Sequence, residues 1–347
     1  MIEKRGKTMR KIRFISIISI FMAAILALAG CGAQNQSSST SKNGKLTHLS
    51  IGYQQGIPLL TTVKQQGKLD ARLKKMGIKV SWHQFSSTSD MMNAVGVSNG
   101  IDFGGGGATA SIFAQASGKK FVKVAAQDWI VHGSAILVRA DSPIKSVADL
   151  KGKTIAVAKG SAQQYLLVSA LKQVGLKYSD IKPLYIQPSE ALAAFKKGKQ
   201  FDAWAIWDPI TAQAQASVKS RVIADNGSVF GKEASLQTAP YYFSTPSLVK
   251  SHPEVVKIIL DELTKAGVWA KKDPEASAKL LSKAYNSDYN IMLTEEKRAG
   301  SRKIVPITNQ LLSMFQTQAD TFYNLKVVPK KIDAKDKNYN WNYKAEK

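Results

Sequence analysis

Four consecutive glycines, Gly104–Gly107, offer backbone chemistry. They follow a short apolar strand signal, IDFG, and precede the helical run ATASIFAQAS. Glycines between a strand and a helix let N–H groups approach a ligand, and helix N-termini favour anions. Thr109 stands where the dinucleotide fingerprint needs its third glycine, so that motif fails. A plain flexible turn is the competing reading. A second turn, Lys159-Gly160-Ser161, joins strand KTIAVA to a helix, and Ser161 suits an N-cap or a ligand contact. A third, Trp207-Asp208-Pro209, ends strand FDAWAIW, with Asp208 placed to cap the next helix and Pro209 at its first position. Strand alternation puts Trp204 and Trp207 on opposite sides, and Trp207, at the carboxyl end, is the cleft candidate. Trp129, after strand FVKVAAQD, is its counterpart. No arginine or histidine falls in these turns, and Lys159 is the cation beside one.

Other chemistries find no residues. Lys151-Gly152-Lys153-Thr154 contains GKT, but Val147 replaces the first glycine of a phosphate loop and a strand follows it. There is no GxSxG elbow, no paired carboxylate constellation and no cysteine nucleophile. His48, His83, His132 and His252 show no zinc spacing. No catalytic residue, metal or cofactor is expected.

The elements that must position these turns alternate. LTHLSIGY, IKVSWHQF, IDFG, FVKVAAQD and GSAILVRA read as strands, separated by helical stretches that include one from Pro58 to about Lys75. A second run follows with KTIAVA, IKPLYI, FDAWAIW and RVIAD as strands, then YYFST, then an almost wholly helical stretch from Pro253 to about Phe322. The expectation is an α/β fold of two lobes, each a largely parallel sheet flanked by helices, with a helical C-terminal region. Lobe 1 is expected over 46–137 plus 246–347 and lobe 2 over 138–245, joined by two hinge strands at 133–139 and 241–245. Ligands of such sheets bind outside the strands' carboxyl ends.

Composition agrees. The chain has 347 residues, 44% of them apolar, enough for a large core. Its charge of +24 comes from 41 scattered lysines and only 8 arginines, which argues for a solvated basic surface and against nucleic-acid binding. Residues 1–13 are basic and 14–30 apolar, and Cys31 follows before a polar run to residue 45. That is a secretory signal, with Met9 an alternative start. Leu28-Ala29-Gly30-Cys31 resembles a bacterial lipobox. The resemblance implies a signal peptide over 1–30, a lipidated Cys31 with a tether over 31–45, and residence on the outer face of the cytoplasmic membrane. The competing reading is a single N-terminal anchor.

Several strings together resemble the substrate-binding proteins of ABC importers in the aliphatic-sulfonate, taurine and nitrate group, especially the sulfonate binders. They are IGYQQG (51–56), IDFGGGGATASIFAQASG (101–118), AILVRADSPIKSVADLKGKTIAV (135–157), KGSAQQYLLVSALKQVGLKYSDI (159–181), FDAWAIWDP (201–209) and VVPKKID (327–333). The resemblance implies a two-lobed periplasmic-binding-protein-like (type II) fold, hinge closure over a small organic anion, membrane permease and ATPase partners, and a monomer. It carries ligand contacts onto Gln54, Gln55, Gly107, Thr109, Gly160, Ser161, Trp207 and Asp208, with Trp129 as a further aromatic wall. The chain departs from the sulfonate pattern at Gly106-Gly107-Ala108, where Thr-Gly-Asp is usual. It departs again at Leu192, where arginine is usual. A neutral aromatic solute such as a pyrimidine, an enzyme of the same fold and a surface adhesin are the alternatives.

Overall fold

The computed structural model describes residues 44–128 and 131–341. The expected leader, Cys31, most of the tether and Trp129 lie outside the described residues. The elements of the first run are β1 (His48–Tyr53), α1 (Leu59–Gln66), α2 (Lys68–Lys75), β2 (Lys79–Gln84), α3 (Thr88–Ala94), β3 (Phe103–Gly107), α4 (Ala108–Ala116) and β4 (Val122–Gln127). Then come β5 (Ala135–Arg139), β6 (Thr154–Val157), α5 (Ala162–Gln173), β7 (Lys182–Tyr185), α6 (Pro188–Lys197), β8 (Ala203–Ile206), α7 (Ile210–Ser217), β9 (Ser220–Asp225), α8 (Asn226–Phe230) and α9 (Ala234–Gln237). The chain continues through β10 (Pro240–Ser244), α10 (Pro246–Ser251), α11 (Pro253–Lys272), α12 (Pro274–Tyr285), α13 (Tyr289–Arg298), β11 (Ile304–Val305) and α14 (Asn309–Asn324).

Two sheets result, ordered β11-β4-β10-β3-β1-β2 and β7-β6-β8-β5-β9. In the first, β1 pairs in parallel with β2 and β3, while β10 lies antiparallel between β3 and β4. In the second, β6 pairs in parallel with β7 and β8, while β5 lies antiparallel between β8 and β9. Thus β1–β4 share one direction and β6–β9 share one direction, as strand–helix–strand units require. Two reversed strands, β5 and β10, are those by which the chain enters a lobe from the other one; the third, β11, lies antiparallel on β4 at the sheet edge. The expected framing pair therefore divides. All of β5 belongs to the second sheet and all of β10 to the first, so the pairing moves the strand boundaries from 137 and 245 to the segments before β5 and after β9.

Each sheet buries a core of its own. Leu49, Ile51, Phe103 and Val124 pack against Leu59, Leu60, Val256 and Ile259 in the first lobe. Ile136, Val138, Ile155 and Val157 pack against Leu166, Leu167 and Leu171 in the second. Each such side chain contributes about 1.5–3 kcal/mol. Helix α14 reaches from the first lobe to the second: Phe315 and Phe322 share a cluster with Tyr165 of α5. The single helix expected from Pro58 to Lys75 is two. Gly67, at φ 67°, closes α1 by donating its N–H to Val63 and Lys64 carbonyls, and α2 starts anew from it.

Candidate functional site

The carboxyl ends of the strands carry the three turns, but the glycine run is not itself a turn. Gly104–Gly107 are part of β3, paired with Phe243, Tyr242, Tyr241 and Pro240 of β10. A Cβ at Gly104 would stand 2.8 Å from the Phe243 ring, one at Gly105 2.8 Å from the Tyr242 ring, and one at Gly106 1.9 Å from Thr88 Cγ2. Three glycines thus serve close packing of aromatic rings and α3 against the strand. Gly107 differs. Nothing lies within 4 Å of its Cβ position, and it caps α4 with no side-chain hydrogen bond to the helix. Its own N–H donates to Thr88 Oγ1 at 3.2 Å. The first turn of α4 therefore begins beside open space, with the partial positive charge of a helix N-terminus.

Around this opening the expected contacts fare differently. The Gln54 side chain is buried, its Nε2 donating to Thr88 Oγ1 at 2.7 Å and to the Gly105 carbonyl at 3.1 Å. It braces the loop after β1 against β3. Gln55 is half-buried on that loop. Thr109 turns its hydroxyl away to Gln318 Nε2 of α14, 3.3 Å distant. Only its backbone remains on the side of the turn.

The second lobe's turns are already occupied by protein groups. Ser161 Oγ accepts the Gln164 N–H at 3.1 Å, and the Gly160 N–H donates to Gln164 Oε1 at 2.6 Å. Gly160 has φ 68°, and a Cβ there would lie 2.8 Å from the Phe113 ring of α4. Lys159 is exposed, its Nζ 5.7 Å from the centre of the Tyr185 ring. Trp204 is buried between Phe195 and Phe201. Trp207 is half-buried, and its Nε1 lies 3.6 Å from the Cβ position of Gly56. Phe113 over Gly160 and Trp207 over Gly56 bring the turns of the two lobes face to face.

Asp208 is fully buried. Helix α7 begins at Ile210, with Pro209 as its cap residue, one position later than expected. The Asp208 carboxylate still serves that helix, accepting the Ala212 N–H at 2.9 Å. Arg298 Nη1 of α13 lies 3.2 and 3.4 Å from the two Asp208 oxygens, and its Nη2 donates to Gln215 Oε1 at 2.6 Å. Burial pushes the Asp208 carboxyl above its ordinary range, while Arg298 and the Ala212 N–H pull it back. Arg298 corrects the expectation that Lys159 is the cation near the turns. Nothing local in the sequence marks it, since it arrives from a helix far along the chain. Among the described residues, no group of His, Cys, Asp or Glu side chains could hold a metal ion.

Two lobes whose strand-end turns meet in this way define the periplasmic-binding-protein fold. The structure superposes with a TM-score of 0.77 on the crystal structure of the periplasmic aliphatic sulphonate binding protein SsuA from Escherichia coli, at 32% identity, covering 87% of this chain and 94% of that one. The alkanesulfonate-binding protein SsuA from Xanthomonas axonopodis pv. citri, bound to MOPS, gives 0.74 at 30% identity, covering 84% and 97%. A relative in Escherichia coli (strain K12) is 32% identical over 322 residues, 93% of this chain and 96% of the relative. Residues 73–277 match the NMT1/THI5-like family, and the chain belongs to it.

Proposed function

We propose that this protein is the solute-binding component of an ABC importer and captures a small organic anion, an aliphatic sulfonate, between its lobes. The observation that carries the reading is the likeness over 93% of the chain to a relative and over 87% to a protein described as binding aliphatic sulphonate. The open first turn of α4 supplies the physical counterpart. N–H groups there suit sulfonate oxygens, each such bond to a charged group contributing about 1.5–3 kcal/mol. Gln55, the Gly107 turn, the backbone at Thr109 and the face of Trp207 are the proposed contacts. Gly160, Ser161 and Asp208 shape the opposite wall. Trp129 is proposed as an aromatic wall of the first lobe. Ligand that touches both lobes favours the closed state.

The protein works by capture without chemical change, handing the solute to a membrane permease driven by an ATPase. It is a monomer held outside the cytoplasmic membrane by acyl chains on Cys31, since one chain alone anchors only marginally. Mass spectrometry of the native protein is expected to show acylated Cys31, and an unmodified Cys31 removes the anchor from this reading.

A thermal-shift panel of 1-butanesulfonate, taurine, nitrate and uracil tests the ligand class. At about a hundredfold excess over Kd, a ligand stabilises by about 2.7 kcal/mol. The sulfonate is expected to raise Tm and to be recovered unchanged. A rise with uracil and none with any sulfonate overturns the reading.

A further inference from the structure

Arg298 reaches the second lobe's turn from outside that lobe. Helix α13 packs on α12 and also touches α7. One guanidinium fork joins the buried Asp208 carboxylate and Gln215 Oε1. Asp208 follows Trp207 directly, so an uncompensated carboxylate there would repel an anion in the cleft through a medium poorer in water than bulk solvent. A fork of this kind fixes geometry as well as charge.

We propose that Arg298 is a positioning residue for anion capture: it cancels the Asp208 charge behind Trp207 and pins the α7 turn of the second lobe to α13. The charge half rests on the anion-binding reading above; the pinning half needs no ligand. From α13, Asp208 faces Arg298 and, one turn earlier, Glu295, a fully buried carboxyl that burial holds well above its ordinary range. Lys297 on the same helix is exposed, and α7 carries no charged side chain. On the segment before β5, the Gly133 carbonyl accepts the Asp208 N–H, and neighbouring His132 is bonded to Asp225.

The test is calorimetry with 1-butanesulfonate, whose charge is constant from about pH 5 to about pH 9. Wild type is expected to bind with little pH dependence. Arg298→Gln is expected to bind roughly tenfold or more weakly at the alkaline end. That loss shrinks as pH falls and Asp208 takes up a proton. Adding Asp208→Asn to Arg298→Gln is expected to restore most of the affinity and abolish the slope. Arg298→Lys keeps the charge but loses the fork, so it is expected to be intermediate and flat. A merely structural role would lower Tm without creating the pH slope. A slope that survives in the double variant belongs to Glu295 and overturns the proposal, as does unchanged affinity in Arg298→Gln.

Small-angle scattering without ligand separates the two readings. Arg298→Gln is expected to show a larger radius of gyration than wild type. Expansion in a protein that binds no sulfonate upholds the pin and removes the anion reading. Intact affinity without expansion removes the pin and leaves the anion reading standing.

Discussion

The two lobes present helix N-termini to the same cleft in opposite states. At α4, Gly107 caps the helix without a side chain and faces open space. At α5, Ser161 Oγ and Gln164 Oε1 have already taken the N–H groups of Gln164 and Gly160, and the Phe113 ring lies over the glycine. A helix start satisfied by its own side chains is a structural wall. One left unsatisfied can bind an anion. Under the proposed function the lobes would divide the work, the first holding the ligand and the second closing on it.

The sharpest way to break this division is Gly107→Asp. A carboxylate at the N-cap would accept the free N–H groups itself, so the fold is expected to gain a few tenths of a kcal/mol from the cap and about 0.3–1 kcal/mol from the helix dipole. Sulfonate binding is expected to fall about a hundredfold or more through loss of charge-assisted bonds and like-charge repulsion. Chemical denaturation and calorimetry read the two effects separately, and parallel losses of both would erase the contrast between the helices. Next in size is Gly160→Ala, which meets the Phe113 ring and an unfavourable φ; its cost is expected to be about 1–3 kcal/mol of stability. Gly107→Ala, with an ordinary φ of −62° and open space, is expected to leave Tm nearly unchanged. Equal destabilisation by the two alanines would mean that the walls are alike.

A buried cation distinguishes the first lobe further. Lys123 lies 4.4 Å from the centre of the Phe315 ring, and burial pushes its pKa down from 10.5 to about 7. The unfolded chain holds that proton up to the ordinary value, so stability is expected to rise as pH increases from about 7 towards 10.5. Lys123→Met is expected to flatten this slope in denaturation curves. A slope that persists would assign it to other groups. The smallest effect on affinity is expected from Lys159→Ala: an exposed amine contributes about 0.2–1 kcal/mol, so affinity should change only a few-fold.

Local signals were legible where partners are near in sequence. The cap at Ser161, strand KTIAVA and the C-terminal helices follow from short-range patterns, and the alternation of strands and helices implies two sheets. What was hidden depends on distant partners. The glycine run looks like a turn until Tyr242 and Phe243 are placed beside it. The Thr109 hydroxyl looks available until Gln318 reaches it from α14, and Asp208 looks like a lone cap until Arg298 arrives from α13. The break at Gly67 is visible as a glycine, but the polar residues beside it suit a helix and the apolar spacing resumes at Leu69 and Leu73, so the end of α1 is blurred.

The division of labour between the lobes is tested most directly by backbone amide NMR during titration with 1-butanesulfonate. The largest shift changes are expected at the amides of Gly107, Ala108 and Thr109, with the Gln164 amide, bonded to Ser161 Oγ, nearly still. The largest changes at Gly160, Ser161 and Gln164, with the start of α4 unmoved, would contradict it.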